Sequence, residues 1–215
     1  QFATGLTGTR SPYGICPSAC NPAYIGGGSS SGSAVAVANG LVSFSLGTDS
    51  GGSGLIPAGF NGIVGLKPTI GRVSLNGVVP NSRCFDCPSI FAANVDDAIA
   101  ILEAIEGYDE SDPFSRREPD PVSKLVPKET CRFAVPKPDD REWFGDASSA
   151  RAFAGAVAYL TGLGAEMREI DFALFREAGT MMLNGPWVAE RKAGIRSFFE
   201  QHPGALLDIV RSVFD

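Results

Sequence analysis

The sequence lacks several features that would indicate particular classes of protein. Its formal net charge of −6 has the wrong sign for a nucleic-acid-binding surface, which needs a basic face. Its apolar runs are shorter than the roughly 18–20 residues of a membrane helix. The first ten residues have no apolar block behind a charged start, so no signal peptide is predicted. We therefore expect no nucleic-acid partner and no membrane partner.

Cysteine and histidine are also scarce. The five cysteines are an odd number at low density, which favours reduced thiols and a cytoplasmic location over a disulfide framework. A zinc site is the alternative, with the ligands Cys16, Cys20, Cys84 and Cys87. We expect no metal, because neither cysteine pair has the flanking residues of a zinc knuckle. The single histidine, His202, is expected at the surface of a helix end, so the sequence does not favour a serine–histidine–aspartate triad.

What is present predicts an α/β protein. The 215 residues suffice for one domain or at most two small ones. Helical patterns cover 31–40, 56–62 (one turn), 94–107, 147–164 and most of the chain after 171. Strand patterns cover 41–47, 63–69, 131–136 and 165–171. Because strands alternate with helices, an α/β sheet is expected.

One segment interrupts this alternation. Residues 108–130 are polar and rich in proline, which predicts a linker or a surface excursion within a domain that spans 1–215.

Two clusters of glycine and serine flank the first predicted helix and strand. They are "GGGSSSGSA" at 26–34 and "GTDSGGSG" at 47–54. Glycines let a backbone approach a ligand closely, and a loop at a helix start offers N–H groups to an anion. The clusters match neither a phosphate-binding P-loop nor a G-x-S-x-G elbow. Serine chemistry at these clusters would therefore need a base other than histidine.

The two clusters and "GIVGLKPT" at 62–69 resemble the amidase signature family in order and spacing. Ser29 and Ser53 lie 24 positions apart, as the corresponding serines of the family do. The resemblance implies hydrolysis of amide bonds by a serine–cis-serine–lysine triad, without a cofactor. It also implies the amidase signature fold, a mixed β-sheet covered by helices on both sides, of which this chain is an incomplete copy.

The resemblance also implies roles for residues in both clusters. Ser53 would be the nucleophile, and Ser29, on a cis peptide bond, would relay its proton. Gly28 would contact the substrate. The oxyanion hole would consist of the backbone N–H groups of Ser50, Gly51, Gly52 and Ser53.

Longer segments narrow the resemblance to the allophanate hydrolases, a branch of the family that acts in urea degradation. They include "QFATGLTGTRSPYG", "FDCPSIFA" and "GPWVAER". The small substrate allophanate carries a carboxylate, for which Arg191 is the implied partner. The alternative for Arg191 is a surface ion pair with Glu190 or Glu177. The resemblance leaves open a homodimer and a urea carboxylase as a fused domain or partner.

Three departures from the family pattern bear on activity. The catalytic lysine of the family belongs before Gln1, so an N-terminal piece is expected to be missing. Leu55 replaces an arginine that would pair with Asp49, which must then find another donor, become partly solvated or be protonated. Leu183 replaces a tyrosine that stands eight residues before the substrate-binding arginine. The alternative function is therefore a catalytically impaired relative that serves as a binding or scaffold module.

Overall fold

A computed structural model describes residues 3–117 and 131–214. The chain divides into two compact units, one formed by Gln1–Asp120 with Met182–Asp215 and the other by Pro121–Met181. The expectation of one partial domain over 1–215 stays a prediction. In the described part of the chain, no helix is long and apolar enough to cross a membrane.

The first unit contains a three-stranded antiparallel sheet in the order β1–β3–β2. The strands are β1 Phe44–Asp49, β2 Val64–Leu66 and β3 Cys87–Ala92. Its helices are α1 Ser31–Ala38, α2 Ile56–Phe60, α3 Val95–Ile105, α6 Pro186–Gly194, α7 Arg196–Gln201 and α8 Asp208–Arg211. The Asn94 side chain caps α3 by accepting from the backbone N–H of Asp97, as predicted for that helix.

The central strand β3 was not predicted from the sequence. Every residue in it is buried, so it has no alternation of polar and apolar residues. It also contains Pro88, a residue that argues against an interior strand. Pro88 lies in the part of β3 that pairs with β1 alone, because β2 pairs only with Ile90–Ala92.

The register of β1 and β3 brings two distant loops together. Asp49 pairs with Cys87, so the loop that begins at Ser50 lies beside the segment that ends at Asp86. This juxtaposition positions much of the candidate site.

Helix α1 packs closely on the sheet because its residues are small. Ala34 and Val37 form a buried cluster with Ala58 and Phe91. A side chain at Gly47 would come within 2.8 Å of Ser30 and Phe91, so only glycine permits this close approach of strand and helix.

The second unit is a strand–helix–strand arrangement. Strand β4 Arg132–Pro136 and strand β5 Glu166–Ile170 are parallel, and α4 Ala147–Gly162 connects them. The Asp146 side chain caps α4 by accepting from the backbone N–H groups of Ser148 and Ser149. A 3-10 turn, Pro138–Asp140, follows β4, and α5 Ala173–Asn184 follows β5, with the residues of α5 from Met182 onward belonging to the first unit. The predicted α/β class is confirmed, with one antiparallel and one parallel sheet in the described residues.

The predicted linker over 108–130 is described only as far as residue 117. That part packs along residues 71–76, where Arg116 N donates to Gly71 O at 2.9 Å and Leu75 N donates to Asp112 Oδ2 at 2.8 Å. These bonds tie 108–117 to the first unit as an ordered loop. Residues 118–130 lie outside the described part of the chain.

Candidate active site

The two glycine–serine clusters lie at the same end of the layer formed by α1 and β1, because Ser30 at the start of α1 is hydrogen-bonded to the backbone of Thr48 near the end of β1. The first cluster leads into α1, and the Gly28–Ser29 peptide bond is cis. The second cluster is the loop that joins β1 to α2. Ser29 is half-buried, and Ser53 is 4% exposed.

The serine hydroxyls of these clusters fall into two groups. Four hydroxyls form the first group, because each donates a hydrogen bond within the fold: Ser30 to Thr48 O, Ser31 to Gly27 O, Ser33 to Leu46 O and Ser50 to Asp86 Oδ1. In residues 3–117 and 131–214, the hydroxyls of Ser29 and Ser53 have no hydrogen-bond partner. The two predicted catalytic serines are therefore those whose hydroxyls are not used to hold the fold.

The buried carboxylate of Asp49 is paired with Lys67. It is fully buried, and Lys67 Nζ lies 2.9 Å from its Oδ1. The backbone N–H groups of Gly52 and Gly54 donate to its two oxygens at 2.9 and 2.6 Å. Lys67 is thus the cationic donor to Asp49 in this chain, which is the first of the three expected outcomes.

The hydrogen bonds of Asp49 change the predicted oxyanion hole. Gly52 donates its N–H to Asp49, so that amide is not available to a substrate oxygen. Among the described residues, the amides of Ser50, Gly51 and Ser53 have no acceptor. The predicted set of four donors is reduced to these three, because a buried carboxylate takes the fourth.

Two cavities open next to the clusters. One of about 370 Å³ is lined by Ser29, Ser30 and Thr48, and one of about 40 Å³ is lined by Ser50, Gly51 and Ser53. Asn81 and Arg191 line both cavities. Asn81 and Arg191 thus line both the cavity beside Ser29 and the cavity beside Ser53.

Arg191 is a buried charge that forms no salt bridge with the described residues. It lies in the last turn of α6 and is 5% exposed, and its Nε has no hydrogen-bond partner among the described residues. Burial lowers the pKa of its guanidinium from the ordinary value, the Asp86 carboxylate opposes this, and Arg10 adds to it. The alternative of a surface ion pair finds no support, because Glu190 accepts instead from the Cys84 thiol at 3.5 Å.

The structure places Gly28, one of the two remaining predicted residues, but it does not describe the side chain of the other, Leu183. Gly28 lines neither cavity; it is buried against Gly8, whose N lies 2.5 Å from the place of an added Cβ. Its predicted contact with substrate stays a prediction. The side chain of Leu183 lies outside the described part, while the neighbouring Met182 packs on Gly51 in the smaller cavity.

The histidine and the cysteines take no part in this site. His202 is the C-terminal cap of α7 and stacks near Phe198 with ring centroids 5.1 Å apart. No group of His, Cys, Asp and Glu side chains in the described ranges could hold a metal ion. The zinc alternative therefore finds no cluster among these residues.

Sequence reasoning missed two residues of the site. Asp86 is buried and accepts hydrogen bonds from Ser50 Oγ and from the backbone N–H groups of Asn81 and Ser82. A carboxylate between Phe85 and Cys87 in "RCFDCPSIFA" was a usable signal, because an acidic residue in an apolar run needs partners. No local pattern marked Asn81.

Comparisons with known proteins identify the family of this chain. The family model described as Amidase matches residues 1–211. The chain belongs to the amidase signature family.

Three proteins illustrate what this chain is similar to. Urea amidolyase of Saccharomyces cerevisiae is 43% identical over 204 residues, covering 94% of this chain and 11% of that protein. The structure of Kluyveromyces lactis allophanate hydrolase matches with a TM-score of 0.93 at 40% identity, covering 100% of this chain and 35% of that chain. Indoleacetamide hydrolase of Pseudomonas syringae pv. syringae is 36% identical over 173 residues, which cover 80% of this chain and 36% of that protein. The amidase signature fold is thus confirmed, and the chain spans little more than a third of these relatives at most.

Proposed function

We propose that this chain is the nucleophile-bearing part of an amide C–N hydrolase. Ser53 Oγ attacks the carbonyl carbon, and its proton passes through Ser29 to a general base. The proton then goes to the amide nitrogen as the C–N bond breaks, and water hydrolyses the acyl ester left on Ser53. The amides of Ser50, Gly51 and Ser53 stabilise the charge on the carbonyl oxygen, where one such donor contributes about 3–4 kcal/mol. The observation that carries the proposal is the pair of unbonded hydroxyls among serines that are otherwise hydrogen-bonded.

The proposed substrate is allophanate, and the proposed role is urea degradation in the cytoplasm. Allophanate presents a carboxylate next to its amide, and a carboxylate would supply the partner that Arg191 lacks. The named relatives, allophanate hydrolase and urea amidolyase, support this substrate. By the same likeness, a urea carboxylase activity in the same protein or in a partner remains part of the proposal.

The general base is proposed to be a lysine from a segment that precedes Gln1. In the described part of the first unit, both lysines are already engaged. Lys67 Nζ donates to Asp49 O, Asp49 Oδ1 and Phe85 O, which uses all three of its protons. Lys192 Nζ donates to Phe214 O at 2.9 Å.

Labelling of Ser53 tests the proposal. A fluorophosphonate probe should label the 215-residue chain poorly, and it should label Ser53 once a lysine-bearing amidase segment is joined ahead of Gln1. The joined protein should release ammonium from allophanate, and Ser53→Ala should lower this rate about a thousandfold or more. Ser33→Ala is the matched control, because its hydroxyl bonds to Leu46 O and should leave the rate unchanged. Turnover that survives in Ser53→Ala would overturn the proposal.

The second candidate is a non-catalytic binding or scaffold module. Met182 favours it, because this side chain packs on Gly51 and leaves only about 40 Å³ beside Ser53. Leu55 is 48% exposed in place of the arginine of the family, which also favours it. A joined protein that binds allophanate but leaves Ser53 unlabelled would support this second candidate.

A further inference from the structure

Asn81 is a buried amide with an unused acceptor. It lies in the loop before β3, is 6% exposed and lines both cavities. Among the cavity-lining residues that the structure describes, Asn81 and Arg191 are the two that hold a buried side-chain polar atom without a partner. One atom is an acceptor, Asn81 Oδ1, and the other is a donor, Arg191 Nε. Unsatisfied buried groups of this kind are costly unless a ligand or water pairs with them.

A chain of hydrogen bonds fixes which way the Asn81 amide points. Asp86 accepts from the backbone N–H groups of Asn81 and Ser82 at 2.8 and 3.0 Å and also from the Ser50 hydroxyl. Because a carboxylate only accepts, the Ser50 proton points at Asp86. The Ser50 oxygen must then accept from the Asn81 side-chain NH₂, which lies 2.7 Å away. The amide oxygen of Asn81 is therefore turned away from Ser50, as an acceptor with no donor.

We propose that Asn81 is a specificity-determining residue that accepts a hydrogen bond from an N–H group of the substrate, while Arg191 binds the carboxylate of the same molecule. The pair selects a small anion that carries a carboxylate together with an amide or ureido N–H. This inference deepens the proposed function and rests on it for the substrate class. One ligand of this kind satisfies both unpaired groups, which an ester or a neutral amide cannot do.

The magnitude of the selection follows from the cost of leaving Asn81 Oδ1 unpaired. A buried acceptor that loses its donor costs enough to lower affinity by about ten- to a hundredfold. An analogue without an N–H group should therefore bind that much more weakly than its N–H counterpart.

Binding of two carbon analogues to the 215-residue chain tests the inference. Malonamate carries a carboxylate and an amide NH₂, and monomethyl malonate replaces that NH₂ by a methoxy group. By calorimetry, the wild-type chain should bind malonamate at least about tenfold more tightly. Asn81→Leu, of similar size, should bind both equally weakly, and Arg191→Met should weaken both by a similar factor.

The outcomes separate this inference from the proposed function, because binding needs no turnover. If the chain prefers malonamate but the joined protein does not hydrolyse allophanate, the proposed role of Asn81 is supported and the proposed hydrolase activity is wrong. Equal affinity of the wild type for both analogues, or no binding of malonamate, would overturn the role of Asn81. The role of Asn81 would also be overturned if Asn81→Leu and Asn81→Ala each lost affinity for malonamate and for monomethyl malonate by the same factor relative to the wild type. Where a variant does not fold, as judged by its thermal transition, the wild-type comparison decides.

Discussion

Asp49 and Arg191 are two buried charges of the first unit with opposite circumstances. Asp49 is 0% exposed, and its oxygens accept from Lys67 and from two backbone amides. Arg191 is 5% exposed, and its Nε has no partner in the described ranges. A buried charge that is fully paired holds the fold together, whereas a buried charge without a salt bridge costs stability unless a ligand or another group pairs with it.

The serines repeat the same contrast on a smaller scale. Ser30 bridges α1 to β1 through the backbone of Thr48, and Ser50 bonds to Asp86. Ser29 and Ser53 have hydroxyls without partners among the described residues. In the part of the chain that the structure describes, each cluster thus contains one serine without a hydroxyl hydrogen bond beside serines that have one, and hydrogen bonding distinguishes them where residue type does not.

The largest effect should come from removing the Arg191 charge. Arg191→Met keeps the packing of the stem but removes the partner of the substrate carboxylate. In the joined protein, kcat/KM for allophanate should fall by about a thousandfold, or about 4 kcal/mol. Steady-state ammonium release measures this. An unchanged kcat/KM together with rapid hydrolysis of neutral amides would identify a general amidase.

Breaking the Asp49 pair should give the next largest effect, on stability. Lys67→Met leaves Asp49 buried without its cation and should lower the free energy of unfolding by about 3 kcal/mol. Urea unfolding measures it. Arg168→Met is the control, because the exposed pair of Arg168 with Glu166 should contribute about 0.5 kcal/mol or less. Equal losses in the two variants would show that burial does not matter to the Asp49 pair.

A smaller gain is expected from restoring the tyrosine of the family. Leu183→Tyr supplies a hydroxyl to a polar substrate and should raise kcat/KM for allophanate about tenfold. The comparison of wild-type and variant kinetics in the joined protein measures it. A variant with unchanged kcat/KM would show that this position does not contact the substrate.

The smallest effect concerns the reactivity of a thiol beside the Asp49 pair. Burial raises the pKa of Cys87 to about 11, with Lys67 opposing the rise. At pH 8 the thiolate of Cys87 is therefore scarce, and iodoacetamide should modify the exposed Cys20 while sparing Cys87. Because the pKa is raised, reactivity of Cys87 should increase as the pH rises from 9 towards 11. Peptide mass spectrometry measures both sites, and equal rates at pH 8 would contradict this close packing.

The sequence alone was enough to predict elements whose ends are marked by local pattern. Helix α1 begins at Ser31 and α3 is capped by Asn94, as periodicity and capping residues predict. The contrast between bonded and unbonded groups depends on distant contacts instead. Lys67 reaches Asp49 across 18 positions, and Asn81 reaches Ser50 across 31. Both contacts depend on β3, which could not be predicted from periodicity because all its residues are buried and it contains Pro88.

Urea unfolding of the wild-type chain and of Arg191→Met, each with and without excess malonamate, tests the central claim most directly. A ligand that binds only the folded state raises the free energy of unfolding, so malonamate should stabilise the wild type and have no effect on Arg191→Met. Without ligand, Arg191→Met should be at least as stable as the wild type, because it removes an unpaired buried charge. A loss of about 3 kcal/mol in Arg191→Met without ligand, as expected for Lys67→Met, would contradict the account by showing that Arg191 holds the fold.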